Sequence, residues 1–163
     1  MKNYIMSNLQ IHDNFLSPLQ LNSVKEYSIR ASYSYGEYDF PGSQITGMVS
    51  NIQENHDIYR LFEYKTRDLV PKGMNLYRMY INCFAPSERP YFHRDGDTGM
   101  TFLYYVNGTD DLNEGGETQI VEDGLIKGVL PISNRLVQFD ANVLHRATTY
   151  RNNHRFTLAV KYS

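Results

Sequence analysis

A series of short alternating segments after Pro71 constrains the fold more than any other feature of the sequence. From Leu76 to Cys83, successive residues alternate in character as they do in a strand that faces two different environments. Further strand-like segments follow, and turn-rich pieces such as Asn107-Gly108 separate them. These segments cover residues 100–106, 118–122, 129–130, 135–139 and 156–162. Many short strands in one chain predict a barrel or a sandwich.

The part of the chain before Pro71 has a helical pattern. Ser17 followed by Pro18 is a typical helix start, and a loose apolar stripe continues to about Arg30. A second helix is predicted over residues 51–69, where Pro71 ends it. Residues 31–47 are rich in Tyr, Ser and Gly and predict a loop. We therefore expect one domain over residues 1–163, with helical support over about 15–70 and a strand-built core over about 75–163.

The composition argues against several classes of protein. The net charge of -2 offers no basic field for nucleic acid or for an anionic membrane surface. No stretch approaches the roughly 20 apolar residues of a membrane span, and the first residues contain no apolar run of signal-peptide length. The single cysteine, Cys83, cannot form an internal disulfide. These features predict a cytoplasmic protein.

Three residues form a candidate metal site. His93 and Asp95 are two positions apart, so in an extended segment their side chains point the same way. His145 follows the strand-like run that ends at Asp140. Two imidazoles and one carboxylate on one face of an octahedron leave positions open for other ligands, as in non-haem Fe(II) oxygenases. A His-x-Asp pair by itself is a weak signal, because such a pair is more commonly two solvated loop residues.

The C-terminal segment predicts a strand with one chemically unusual face. Arg155, Thr157, Ala159 and Lys161 alternate with apolar and aromatic residues. If this face is buried, the Arg155 guanidinium needs an anionic partner, and its planar fork suits a carboxylate. Thr157 offers a hydroxyl to the same group. The alternative is an arginine at a strand end that pairs with a surface acid.

These candidate residues stand among further motifs in a recognisable order. The motifs are His93-Arg94-Asp95, Thr101-Phe102-Leu103-Tyr104-Tyr105-Val106-Asn107, Glu114-Gly115-Gly116-Glu117-Thr118, Asn134-Arg135-Leu136-Val137-Gln138-Phe139-Asp140, His145-Arg146-Ala147 and Arg155-Phe156-Thr157. Together they resemble the prolyl 4-hydroxylase-like branch of the 2-oxoglutarate and Fe(II)-dependent dioxygenases. The resemblance runs from about residue 76 to residue 162, a little over half of the chain.

The resemblance implies a fold and a metal centre. The fold would be a β-rich α+β architecture, a double-stranded β-helix or jelly roll with the N-terminal helices packed on one sheet. His93, Asp95 and His145 would bind Fe(II) and form the catalytic centre. The other reactants implied are 2-oxoglutarate as co-substrate and O2, with ascorbate as a candidate reductant.

The resemblance also implies residues that bind the co-substrate. Arg155 would pair with the distal carboxylate of 2-oxoglutarate, with Thr157 beside it. Tyr105 would donate a phenolic hydrogen bond to the same carboxylate, unless Tyr105 packs in the core and Tyr104 points inward instead. Thr118 would line the pocket near the co-substrate.

Two positions depart from the family pattern. Members of this branch often carry a tyrosine upstream of the His-x-Asp motif that touches the co-substrate, but the matching residue here is Phe84, which has no hydroxyl. Tyr80 and Tyr91 are candidates to replace it. The inward position six residues after Arg155 is Lys161 rather than an aromatic residue.

The branch resembled hydroxylates prolyl residues, so the resemblance implies prolyl 4-hydroxylation of a proline-containing peptide or protein. Residues 32–47 and 88–99 would be the mobile parts near the substrate. One alternative with the same chemistry is a nucleic-acid demethylase, because Lys161 resembles the second basic residue of those enzymes. Another is a hydroxylase of a free amino acid or other small molecule. The alternative from another class is a jelly roll that serves as a non-catalytic binding module.

Overall fold

A computed structural model describes residues 9–163, which form two α-helices, one 3₁₀ turn and nine strands. The helices are α1 (Pro18–Arg30) and α2 (Asp57–Thr66), and the 3₁₀ turn Arg67–Leu69 follows α2. The strands are β1 (Leu9–His12), β2 (Met48–Asn51), β3 (Leu76–Phe84), β4 (Met100–Tyr105), β5 (Thr118–Glu122), β6 (Leu125–Val129), β7 (Leu136–Asp140), β8 (His145–Ala147) and β9 (Arg155–Tyr162). The domain is predicted over residues 1–163, and the first eight of these lie outside the described residues.

The strands form two antiparallel sheets. The larger sheet has six strands in the order β1-β7-β4-β9-β3-β2, and the smaller sheet has three in the order β6-β5-β8. Apolar side chains from both sheets meet between them, namely Leu103, Tyr105, Ile120, Val129, Val137, Phe139 and Ala159. Two facing antiparallel sheets joined in this order confirm the predicted jelly roll.

The two helices cover the outer face of the larger sheet. Helix α1 begins with a capping box, in which the Ser17 hydroxyl accepts from the Gln20 amide and the Gln20 side chain accepts from the Ser17 amide. Val24 of α1 and Phe62 of α2 are completely buried in the cluster that these helices share with β3, β4 and β9. The predicted packing of helices on one sheet is therefore confirmed. Within residues 9–163, no helix is long and apolar enough to cross a membrane.

The second helix starts later than its predicted position at residue 51. Met48–Asn51 is a strand that pairs with β3, and the helix begins only after His56, whose side chain accepts from the Ile58 amide. Ile52 contributed to the helical pattern, but its amide donates to the Met79 carbonyl at 2.9 Å and extends the sheet. The predicted boundary was wrong because an apolar residue at a strand end and one at a helix start look alike in sequence.

Strand β9 lies in the middle of the larger sheet, between β3 and β4. Leu158, Val160 and Tyr162 point outward into the cluster under the helices, and Ala159 points between the sheets. The predicted alternation of this strand is thus confirmed. It places Arg155 and Lys161 in the interior of the jelly roll, where both are buried.

Candidate active site

His93, Asp95 and His145 converge at one end of the jelly roll. Their ligand atoms all lie within 4.8 Å of one another. The Nε2 atom of His93 is 3.6 Å from Asp95 Oδ1, and the Nε2 atom of His145 is 3.8 Å from Asp95 Oδ2. Backbone pairing causes this convergence, because the amides of His93 and His145 each donate to the carbonyl of the other, at 2.9 and 3.0 Å.

The second ring nitrogen of each histidine faces a backbone carbonyl. The Nδ1 atom of His93 is 3.1 Å from the Tyr91 carbonyl oxygen, and that of His145 is 2.9 Å from the Val143 carbonyl oxygen. Such contacts hold the proton on Nδ1 and leave Nε2 free to bind a metal. Burial also lowers the pKa of His145 to about 4, which keeps its imidazole neutral near pH 7. The donor set of two imidazoles and one carboxylate therefore fits Fe(II).

Two side chains on neighbouring strands hold the Asp95 carboxylate in place. The hydroxyl of Thr101 on β4 donates to Asp95 Oδ2 at 2.6 Å, and the ammonium of Lys161 on β9 contacts the same oxygen. Burial alone would raise the pKa of Asp95, but the hydrogen bond from His93 and the positive charge of Lys161 outweigh it and lower this pKa well below its usual range. Asp95 is thus ionised and oriented, as a metal ligand must be.

Arg155 is buried without a carboxylate partner among the described residues. Its Nε donates to the Gly116 carbonyl at 2.8 Å, and its terminal nitrogens donate to Thr118 at 3.0 Å and to Thr157 at 3.4 Å. These partners are uncharged, so they orient the guanidinium and leave its charge uncompensated. A buried charge of this kind favours binding of an anion.

The three candidate metal ligands and Arg155 line the same cavity, whose volume is about 240 Å³. Thr118, Thr157 and Lys161 also line it. The structure therefore brings together, on one cavity, the three predicted metal ligands and the predicted carboxylate anchor with its neighbouring threonines.

Tyr105 points inward, but its hydroxyl is engaged with the protein. The phenolic oxygen lies 2.6 Å from Thr118 Oγ1 and 3.2 Å from the Val129 carbonyl, and it accepts from the Thr118 amide at 3.0 Å. Its ring lies 5.2 Å from the Arg155 guanidinium carbon. The geometry places Tyr105 as a support for Thr118 and Arg155, and its bond to the co-substrate stays a prediction. Tyr104 points outward into the cluster under the helices.

Phe84 and Tyr80 both line the cavity, whereas Tyr91 is absent from its described wall. The Phe84 ring lies 5.9 Å from the Arg155 guanidinium carbon. Phe84 therefore lies beside the predicted carboxylate anchor but offers it no hydroxyl. Tyr91 is on the surface, where its ring meets the Phe40 ring edge-on at 5.5 Å. Of the two tyrosines considered as replacements, Tyr80 therefore has the better position.

Two residues of the site, Thr101 and Asp39, are not predicted by the motifs of the sequence. Thr101 shares an inward face with Leu103 and Tyr105, so the alternation of β4 predicts that its side chain points into the interior. Asp39 lies in the loop before β2, and its Oδ1 atom is 3.3 Å from the Nδ1 atom of His93. No local pattern links residues this far apart in sequence.

Comparison with known proteins gives a consistent picture of the fold. A prolyl-4-hydroxylase from Pseudomonas putida superposes with a TM-score of 0.78 at 14% identity, covering 96% of this chain and 94% of the other. A prolyl hydroxylase from Trichoplax adhaerens, solved with a hypoxia inducible factor peptide fragment, gives 0.80 at 16% identity, covering 98% and 86%. The chain has the prolyl hydroxylase fold.

A third structure with the prolyl hydroxylase fold is the viral collagen prolyl hydroxylase of Paramecium Bursaria Chlorella virus-1, in a 2-oxoglutarate complex. Its TM-score is 0.71 at 16% identity, covering 96% of each chain. No family model and no curated protein matches the sequence. At these identities the likeness is one of fold, and the residues of the cavity carry the functional argument.

Proposed function

We propose that the protein is an Fe(II)- and 2-oxoglutarate-dependent dioxygenase that hydroxylates an unactivated C–H bond. One observation carries the proposal: a His-Asp-His cluster and a buried guanidinium without a carboxylate partner among the described residues line one cavity. The cluster suits iron with open positions, and the guanidinium suits the far end of a dicarboxylate. A metal-type cluster or a buried guanidinium occurs singly in many kinds of protein, but the two on one cavity match the two ends of one co-substrate.

The residues of the chain have separate roles in this proposal. His93, Asp95 and His145 hold Fe(II), which, when bound, supplies the activation of O2. Arg155 binds the distal carboxylate of 2-oxoglutarate beside Thr118 and Thr157. Fixing the co-substrate at both ends sets its orientation in the cavity, so that binding energy offsets the entropic cost of alignment before the reaction begins.

The proposed substrate is a prolyl residue in a peptide or protein. The first support is the fold, which the chain shares with prolyl hydroxylases. The second is the cavity wall, where Tyr38 and Tyr80 offer flat aromatic faces for a proline ring. We also propose that the protein works in the cytoplasm, since Cys83 is its single cysteine.

The charges at the cavity favour a peptide over a nucleic acid. Glu37 and Asp39 line it beside Arg78 and Arg94, so the wall is mixed in charge and forms no basic groove for phosphates. The Arg78 guanidinium also pairs with both Glu37 oxygens, at 2.6 and 3.2 Å. A jelly roll that has lost catalysis usually lacks a metal ligand or the anchor, and candidates for both are present here.

Two measurements test the proposal, first of binding and then of turnover. Metal-free protein is titrated anaerobically with Fe(II) and then with 2-oxoglutarate, and succinate release is measured with a panel of proline-containing peptides. Wild-type protein should bind both and release succinate with at least one peptide. Failure to bind Fe(II) or 2-oxoglutarate would contradict the proposed chemistry, and succinate release with small molecules but with none of the peptides would contradict the substrate.

A matched pair of variants assigns the chemistry to the cluster. His145→Ala removes a buried ligand and should abolish succinate release, whereas His154→Ala removes an exposed histidine and should leave it unchanged. Circular dichroism confirms that both variants are folded. Normal turnover in His145→Ala would show that the site is elsewhere.

A further inference from the structure

Asp39 turns inward from an otherwise exposed segment. Its neighbours Tyr38 and Phe40 are 58% and 44% exposed, whereas the Asp39 side chain is only 14% exposed. A single ionised carboxylate directed into a protein is costly unless it has partners there. The hydrogen-bonding partners of Asp39 therefore indicate its structural role.

The two carboxylate oxygens of Asp39 have different partners. Oδ2 accepts from the Tyr91 amide at 2.7 Å and from the Thr46 hydroxyl at 3.3 Å, which ties this segment to the residues before His93. Oδ1 lies 3.3 Å from the Nδ1 atom of His93. Asp39 thus anchors its own loop with one oxygen and contacts a candidate metal ligand with the other.

The two histidines of the cluster differ in this respect. The Nδ1 atom of His145 has the Val143 carbonyl as its partner, while that of His93 has both the Tyr91 carbonyl and the Asp39 carboxylate. A carboxylate behind a metal-bound imidazole orients the ring and strengthens Nε2 as a donor. Of the two histidines, His93 is therefore the one with a described carboxylate behind its ring, supplied by a residue outside the strands.

The segment that carries Asp39 also forms part of the cavity wall. Glu37, Tyr38 and Thr46 line the cavity together with Asp39. The segment that holds the carboxylate against His93 therefore also faces the cavity. Displacement of this segment would change the contact behind His93.

We propose that Asp39 is a positioning residue that connects the segment 37–46, which contributes to the cavity wall, to the candidate metal ligand His93. In this arrangement, the Asp39 carboxylate orients the His93 ring, and its removal weakens metal binding at His93. The proposal rests on the proposed function, because it requires a divalent metal on the cluster.

The test measures metal affinity, a property that a role in loop packing alone would not change. Metal-free wild-type protein, Asp39→Asn, Asp39→Ala and Glu37→Gln are titrated with Co(II) by calorimetry, and the visible absorption of each Co(II) complex is recorded. Asp39→Asn keeps an oxygen that can accept from Tyr91 but removes the charge behind His93. Glu37→Gln disturbs the same segment at Arg78 and leaves the His93 contact intact, so it is the matched control.

Asp39→Asn and Asp39→Ala should weaken Co(II) binding by about 10-fold or more, as is typical when the partner of a metal-bound histidine is removed. Their Co(II) absorption bands should also shift, while Glu37→Gln should match wild type in both measurements. Unchanged affinity and spectrum in Asp39→Asn would overturn the proposal, even if that variant is less stable. Equal weakening by Glu37→Gln would also overturn it, whereas wild-type protein that binds no metal would contradict the proposed function instead.

Discussion

The ammonium of Lys161 pairs with the carboxylate of Asp95 in the interior of the jelly roll, and both side chains are only 8% exposed. Thr101 lies opposite Lys161 on the neighbouring strand and donates to the same carboxylate oxygen. Lys161 therefore supplies the positive charge that balances Asp95 in the metal-free protein. A bound divalent metal would supply positive charge at the same place.

Lys161→Met should destabilise the metal-free protein by about 3–5 kcal/mol, because it leaves a buried carboxylate without its cation. Saturating Mn(II) should reduce this difference, since the metal compensates the same charge. Urea unfolding with a chelator and with Mn(II) measures both effects. Arg60→Met, which breaks the exposed pair with Asp57, is the control and should cost less than about 1 kcal/mol. Equal stability of Lys161→Met and wild type in chelator would contradict this account of the pair.

Arg155→Leu should abolish the two-pronged contact with the co-substrate while leaving the metal ligands in place. Each charge-assisted hydrogen bond contributes about 1.5–3 kcal/mol, so the affinity for 2-oxoglutarate should fall by about 100-fold or more. Calorimetry in the presence of Mn(II) measures the affinity for 2-oxoglutarate, and a separate Mn(II) titration should match wild type. The exposed Arg151, replaced by Leu, provides the control. If Arg155→Leu bound 2-oxoglutarate normally, the anchor would have to be another residue.

Gly116→Ala should destabilise the protein and displace the carbonyl that orients Arg155. Gly116 has a φ of 85°, and an added Cβ would lie 2.0 Å from a ring atom of Tyr150. Left-handed backbone strain and overpacking together should cost about 2–5 kcal/mol. Gly124→Ala is a matched control, since its φ of 73° is similar and no atom lies within 4 Å of the added Cβ. Thermal unfolding should show a much smaller loss for Gly124→Ala, and similar losses in the two variants would contradict the predicted clash.

Cys83 should react slowly with thiol reagents in the folded protein. Burial, with a smaller effect from the charge of Glu88, raises the pKa of its thiol from 9.0 to about 11. The unfolded thiol therefore ionises first, and folded-state stability should fall as the pH rises from about 9 to 11. At pH 8 the thiolate fraction should be about 100-fold lower in the folded state. Alkylation rates of native and urea-unfolded protein at pH 8 measure this difference, and equal rates would show that Cys83 is accessible.

The sequence predicted those parts of the fold whose signals are local. Ser17 and Pro18 marked the start of α1, and the alternation from Arg155 to Tyr162 separated the two faces of β9 correctly. The strand Met48–Asn51 was missed because an edge strand of four residues has too few positions to show a period. Its pairing with β3, rather than its own pattern, makes it a strand.

The same distinction applies to the candidate site. By itself the sequence predicted which side chains could hold a metal and an anion, namely His93, Asp95, His145 and Arg155, from the His-x-Asp spacing and from the order of the motifs along the chain. The tertiary structure decided which groups contact these side chains. Thr101 and Lys161 contact Asp95, Gly116 and Thr118 accept hydrogen bonds from Arg155, and Asp39 contacts His93. These contacts join residues on different strands and loops, so no periodicity records them. They arise only when two sheets close around one interior and each buried polar group must find a partner there.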